Sequence, residues 1–161
     1  YDEFFPLMTS CRSWDVADGD AEMMASIGDN TFDFVHSSHC LEHMKNVLNA
    51  FDNWLRILKR GGHLICIIPD EDLYEQGVFP STFNSDHKHT FTIYKKESWS
   101  KHSMNVLDLL AQVNIPIQVK KIELLDATYR YDLNQNIDQA RFDQTLTPIG
   151  ECAIEFIIKK L

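Results

Sequence analysis

The run His63-Leu64-Ile65-Cys66-Ile67-Ile68, opened by Gly61-Gly62 and closed by Pro69, constrains this chain more than any other stretch. Nearly continuous apolar residues over so short a length suit a strand buried on both faces of a parallel sheet. Just upstream, Val47, Leu48, Phe51, Trp54, Leu55 and Leu58 recur at three- and four-residue steps. That spacing predicts an amphipathic helix over 46–60, with Asn46 as N-cap and Gly61 just past its end. Before the helix, Thr31-Phe32-Asp33-Phe34-Val35-His36 is aromatic and β-branched, and Ser37-Ser38 ends it where a strand-to-helix loop belongs. Strand, helix and buried strand in succession make a βαβ unit.

The rest of the chain is read around that unit. Trp14–Val16 reads as a short strand running into the turn Asp18-Gly19-Asp20. Residues 70–92 form a polar, irregular stretch long enough to suggest function. Helical spacing returns over 95–113 through Trp99, Val106, Leu109, Leu110 and Val113. Two late strands follow at 117–126 and 151–159, the second alternating Cys152, Ile154, Phe156 and Ile158 on one face. An exposed loop rich in Asn, Gln and Asp is expected over 132–150. At 161 residues this is one domain. The expected architecture is α/β, a mostly parallel sheet finished by an antiparallel strand pair.

Composition narrows the function classes. Fifteen Lys and Arg against 24 Asp and Glu give a formal charge of −9, which argues against nucleic-acid backbones and anionic lipid. The four cysteines, Cys11, Cys40, Cys66 and Cys152, include no C-x-x-C pair, so free thiols in a reducing compartment are expected. No apolar run approaches the ~18 residues of a membrane span. A cytoplasmic location is the default expectation. The six glycines contain neither G-x-G nor G-x-x-x-x-G-K, so no glycine-rich phosphate loop is present.

Three segments in order then carry a resemblance: Gly19-Asp20-Ala21-Glu22; Phe32-Asp33-Phe34-Val35-His36-Ser37-Ser38-His39-Cys40-Leu41-Glu42-His43; and Trp54-Leu55-Arg56-Ile57-Leu58-Lys59-Arg60-Gly61-Gly62-His63-Leu64. With Ile68-Pro69-Asp70 after them, they resemble the class I S-adenosylmethionine-dependent methyltransferases, particularly the small-molecule and glycan methyltransferases. The resemblance is close over 15–70 and rests beyond it on element order alone. It implies a Rossmann-like sheet and S-adenosylmethionine as cofactor. It further implies that Asp20 accepts the adenine amino group, that the Ala21 backbone N–H meets a ring nitrogen, and that Ser37, Ser38 and His39 face the methionine end. A carboxylate and a fixed backbone donor have the right chemistry for adenine. For Asp20 the plainer alternative is the cap of a helix starting near Ala21.

His39-Cys40-Leu41-Glu42-His43 also fits the H-x-x-E-H pattern of inverted zinc peptidases, with His39 and His43 sharing a face if the segment is helical. No downstream third ligand is evident, and the same letters are what the resemblance expects. Methyltransferases that hold a divalent ion here carry glutamate where this chain has His39, so no metal is expected. Asp86-His87-Lys88-His89-Thr90-Phe91 follows the buried strand, where the resemblance places a substrate-facing lid. His87 and His89 are the candidate catalytic residues, since an imidazole near neutrality can take a proton from a hydroxyl or amine. An exposed polar loop remains the alternative for His87, and an inward anchor for His89.

The resemblance also places a glycine-rich turn and two strands ahead of Asp20, where only nineteen residues stand. The reading is therefore an amino-terminally incomplete methyltransferase whose open sheet edge invites a homodimer. Its expected reaction is methyl transfer to an O or N of a small molecule or sugar; the alternative is a non-catalytic interaction module.

Overall fold

A computed structural model of the chain describes residues 9–134, 143–146 and 149–161. In chain order the strands and helices are β1 (Phe32–Ser38), α1 (Val47–Ile57), β2 (Leu58–Pro69), β3 (Thr90–Thr92), β4 (Ser103–Asn105), α2 (Val106–Ala111), β5 (Ile117–Leu125) and β6 (Ala153–Lys160). The main sheet runs β1-β2-β6-β5, and β3 and β4 form a separate two-stranded sheet. β1 and β2 are parallel, whereas β6 lies antiparallel to both β2 and β5. The βαβ unit and the late antiparallel pair stand where the sequence predicts them. Among the described residues β1 has a strand on one side only.

The core follows from the two periodicities. α1 buries Val47, Ala50, Phe51, Trp54, Leu55 and Ile57, while β6 buries Ile154, Phe156 and Ile158 along one face. Phe51 stacks on Phe156 with ring centroids 5.6 Å apart, joining helix to sheet. Full burial of side chains of this size stabilises by about 1.5–3 kcal/mol each. Asn46 is the N-cap expected, its side chain accepting from Asn49 N at 3.1 Å. The helix nevertheless stops at Ile57, short of Gly61. Its last carbonyls find tertiary donors instead of a glycine cap: Asn30 N reaches Arg56 O at 3.0 Å and Thr31 N reaches Ile57 O at 2.7 Å. Gly61, at φ +81°, and Gly62 serve an irregularity in β2, where the pairing jumps from Phe32↔Leu58 to Phe34↔His63. A Cβ on Gly62 would lie 2.9 Å from the carbonyl oxygens of Asp33 and Lys59.

Three local expectations are corrected. Trp14–Val16 is no strand: the Asp15 side chain caps a 3-10 turn over Val16–Asp18, with Asp18 bonding back to the Asp15 backbone. Local side-chain to backbone bonds outcompete β-propensity there. No helix starts near Ala21, where the chain makes turns. The span 95–113 holds only the short α2, because Asn105 accepts from Leu107 N and Asp108 N and so starts the helix at Val106. Before it, Ser98 and Ser103 are drawn to a buried carboxylate and Ser103–Asn105 pairs with β3. Of the loop expected over 132–150, residues 135–142 and 147–148 lie outside the described residues.

Candidate functional site at the carboxyl ends of the parallel strands

Three segments converge just beyond the carboxyl ends of β1 and β2, the place where open α/β sheets hold their ligands. The first is 37–44. Ser37 is buried at the end of β1 and its Oγ has no hydrogen-bond partner, whereas Ser38 is exposed. His39 takes φ +48° and donates its backbone N–H to Ile67 O at 2.9 Å, which turns the chain off the sheet. A 3-10 turn over Leu41–His43 follows.

The second segment, 70–76, leaves β2. Asp70 accepts from Asp72 N at 2.9 Å and Leu73 N at 3.1 Å. Burial nonetheless raises its pKa to about 6, against the lowering effect of those two backbone bonds. Tyr74 and Glu75 come next and turn inward. The third segment, 84–89, is tied to the first because Glu42 O accepts from Lys88 N at 2.8 Å and His89 N at 3.3 Å.

Glu42 sits at the centre. It is fully buried, and neither carboxylate oxygen has a hydrogen-bond partner. Burial pushes its pKa up to about 7, against the lowering effect of its own backbone N–H and of His87, with Glu75 raising it slightly further. Three imidazoles surround Glu42 Oε1: His43 Nε2 at 3.6 Å, His87 Nε2 at 3.8 Å and His39 Nδ1 at 3.8 Å. The His87 and His43 rings meet edge to face with centroids 5.0 Å apart, and the Tyr74 ring lies 5.0 Å from His87. His87 Nδ1 bonds Glu75 Oε1 at 2.6 Å, and His43 Nδ1 bonds Asp86 Oδ2 at 2.9 Å.

His39 and His43 thus approach one carboxylate, although by a turn and not by a helix face. The two candidate catalytic residues diverge. His87 is in this cluster, with its side chain only 1% exposed. His89 is anchored inward, its Nε2 at 3.0 Å from Met44 O, and burial lowers its pKa. The His39 side chain is 44% exposed and its pKa is lowered, first by burial and then by His87 and His43.

Asp20 and Ala21 lie apart from the imidazole cluster in a turn docked on α1. Trp54 Nε1 donates to Ala21 O at 2.8 Å, and Glu22 N donates to Asp20 Oδ1 at 2.8 Å. Glu22 anchors the turn. Its carboxylate accepts from Lys45 N, Asn46 N and Asn49 Nδ2 at 2.9–3.0 Å, and the Asn49 bond leads the lowering of its pKa. Sequence reasoning weighed Glu42 only as part of the H-x-x-E-H pattern, quoted Glu22 without giving it a role, and passed over Glu75. Glu75 belongs to the acidic run Asp70-Glu71-Asp72, Tyr74-Glu75, in which nothing local marks it out.

Residues 7–66 match the methyltransferase domain family. No curated protein matches the chain. Among solved structures, a putative methyltransferase from Bacillus halodurans aligns with TM-score 0.58 at 15% identity, over 98% of this chain and 82% of its own. A SAM-dependent methyltransferase from Archaeoglobus fulgidus aligns with TM-score 0.53 at 17% identity, over 88% of this chain and 66% of its own. The YcgJ protein from Bacillus subtilis gives 0.51 at 17% identity, over 87% and 67%. The chain therefore spans about two thirds of the length of the last two.

Proposed function

From a chain that carries a class I S-adenosylmethionine-dependent methyltransferase fold, with the methyltransferase-domain sequence over residues 7–66, we propose that the protein methylates an O or N of a small molecule or sugar. The observation that carries the reading is the convergence of 37–44, 70–76 and 84–89 at the carboxyl ends of β1 and β2. There a buried Ser37 Oγ without a partner lies beside exposed Ser38 and half-exposed His39, so the residues present fit a polar ligand entering from solvent. When bound, S-adenosylmethionine supplies a methyl group on a positively charged sulfur.

The chain's own residues bind and align. Asp20, exposed, presents a carboxylate with acceptor capacity left beyond its one local bond, suited to an exocyclic amine. Ala21 is held by Trp54, which fixes the backbone beside it. Ser37, Ser38 and His39 take the other end of the cofactor. Methyl transfer needs chiefly alignment and exclusion of water, and the acceptor's proton leaves to a nearby base. His39 suits that last task better than His87 or His89. Its ring is the exposed one of the three, and its lowered pKa leaves it neutral at pH 7. The other two rings are occupied by Glu75 and the Met44 carbonyl. We also propose the one-sided β1 as the seam of a homodimer, which sedimentation as a monomer at high concentration would refute.

Calorimetric titration with S-adenosylhomocysteine tests the central claim. Binding in the micromolar range, weakened about tenfold or more by Asp20→Ala, is expected. A folded chain that binds none would favour a non-catalytic interaction module.

A further inference from the structure

The geometry points to a binding site for a zinc-class divalent cation built from Glu42, His43 and His87, whose ligand atoms all lie within 4.8 Å of one another. Each imidazole is oriented for it from outside. Glu75 holds His87 Nδ1 at 2.6 Å and Asp86 holds His43 Nδ1 at 2.9 Å. A carboxylate on Nδ1 keeps the proton there and leaves the lone pair on Nε2, the arrangement that turns histidine into a metal ligand and raises its basicity. Both Nε2 atoms then face the same oxygen, Glu42 Oε1, at 3.6 and 3.8 Å.

Those separations are too long for hydrogen bonds. They are close to what a shared ion requires, since ligands on bonds of about 2.0–2.1 Å in a tetrahedron stand about 3.3–3.4 Å apart. A contraction of a few tenths of an ångström closes the two edges at Glu42, and the third edge, between the imidazole nitrogens, lies within 4.8 Å. Glu42 supplies the second, independent observation. A fully buried carboxylate whose two oxygens lack any hydrogen-bond partner is costly to bury, and a cation among these ligands removes that cost.

The donor set selects the ion. Two imidazoles and one carboxylate suit zinc and its transition-metal neighbours, whereas magnesium and calcium prefer all-oxygen shells. Three protein ligands leave a fourth position for water or an oxygen of a bound molecule. His43 and His39, the partly exposed members of the cluster, form its solvent side. The ion would also clip the turn after β1 to the loop before β3, segments already joined through Glu42 O and Lys88 N.

The test is metal titration of the whole chain after dialysis against a chelator. Zn2+ should bind with one equivalent in competition with a chromophoric chelator, and Co2+ should give the intense visible absorption of a tetrahedral site. At a free Zn2+ concentration about 100-fold over Kd, Tm should rise by about 5–10 °C. Affinity should fall more than ~100-fold in Glu42→Gln and in His43→Ala, and stay unchanged in His102→Ala. His43 is partly exposed, so its variant reads the site even where a core substitution fails to fold. Absence of Zn2+ and Co2+ binding to wild type, or wild-type affinity in His43→Ala, overturns the site. S-adenosylhomocysteine titration of the same metal-free samples reads the cofactor site separately, so the two proposals fail independently.

Discussion

Glu42 and Glu71 are both fully buried, yet the protein treats them in opposite ways. Around Glu71 the fold gathers donors: the Lys95 ammonium at 3.2 Å, Ser98 Oγ at 2.9 Å, Thr90 Oγ1 at 3.3 Å, and the Ser103 hydroxyl. Around Glu42 it gathers imidazole nitrogens at 3.6–3.8 Å and no hydrogen-bond donor. A buried charge is tolerated when it is paired and hydrogen-bonded, so Glu71 acts as a structural pin holding 95–105 against β3. The Glu42 pocket keeps its carboxylate without a donor from another residue at the carboxyl ends of the parallel strands, where unspent binding capacity is useful. Asp70 lies between the two cases, with two backbone donors and a pKa still raised to about 6.

The largest effect expected from breaking this contrast is at Glu71. Glu71→Ala strands three hydroxyls and part of the Lys95 pairing, and should destabilise by about 3 kcal/mol in urea unfolding. Next comes Asp70. Its folded pKa of about 6 lies above the ordinary 3.8, so the fold binds its proton more tightly than the unfolded chain does. That contribution is fully present below about pH 4 and is lost as pH rises through 6. Asp70→Asn keeps the acceptor oxygen and escapes the loss. The variant should exceed wild type by about 2–3 kcal/mol at pH 8, with the gap closing towards pH 4 in a stability series. Smaller is Glu22→Ala, which releases Lys45 N, Asn46 N and Asn49 Nδ2 at a partly exposed site. It should cost about 1 kcal/mol. Opposite in sign to Glu71 is Glu42→Gln in metal-free protein. No hydrogen bond to another residue is lost, and a carboxyl held at about 7 is costly to ionise. The variant should therefore match wild type near pH 4 and exceed it by about 2–3 kcal/mol at pH 8. A Glu42→Gln cost matching that of Glu71→Ala would abolish the comparison.

Much of the fold was legible locally. The Asn46 cap, the α1 stripe, the apolar β2 run and the alternation in β6 are short-range patterns that burial rewards directly. The span 95–113 misled because its helical spacing is real but its serines answer to Glu71, 27 and 32 residues earlier. For the site, His39, Glu42, His43 and His87 all stood in stretches singled out by sequence. Their grouping was not visible. The expectation of two ligands on a helix face joined His39 to His43, whereas the structure joins His43 to His87, 44 positions on, through Glu42.

The sequence by itself determined which segments are helix and strand in the βαβ unit and the closing pair, because period and capping act within a few residues. It also carried the motif order that matches the methyltransferase domain family over residues 7–66. Only the tertiary structure decided which acid is pinned and which is left open. Whether a buried carboxylate meets a lysine, a serine or a pair of imidazoles depends on segments 12 to 45 residues away, and those distances are closed by the sheet and not by the local chain.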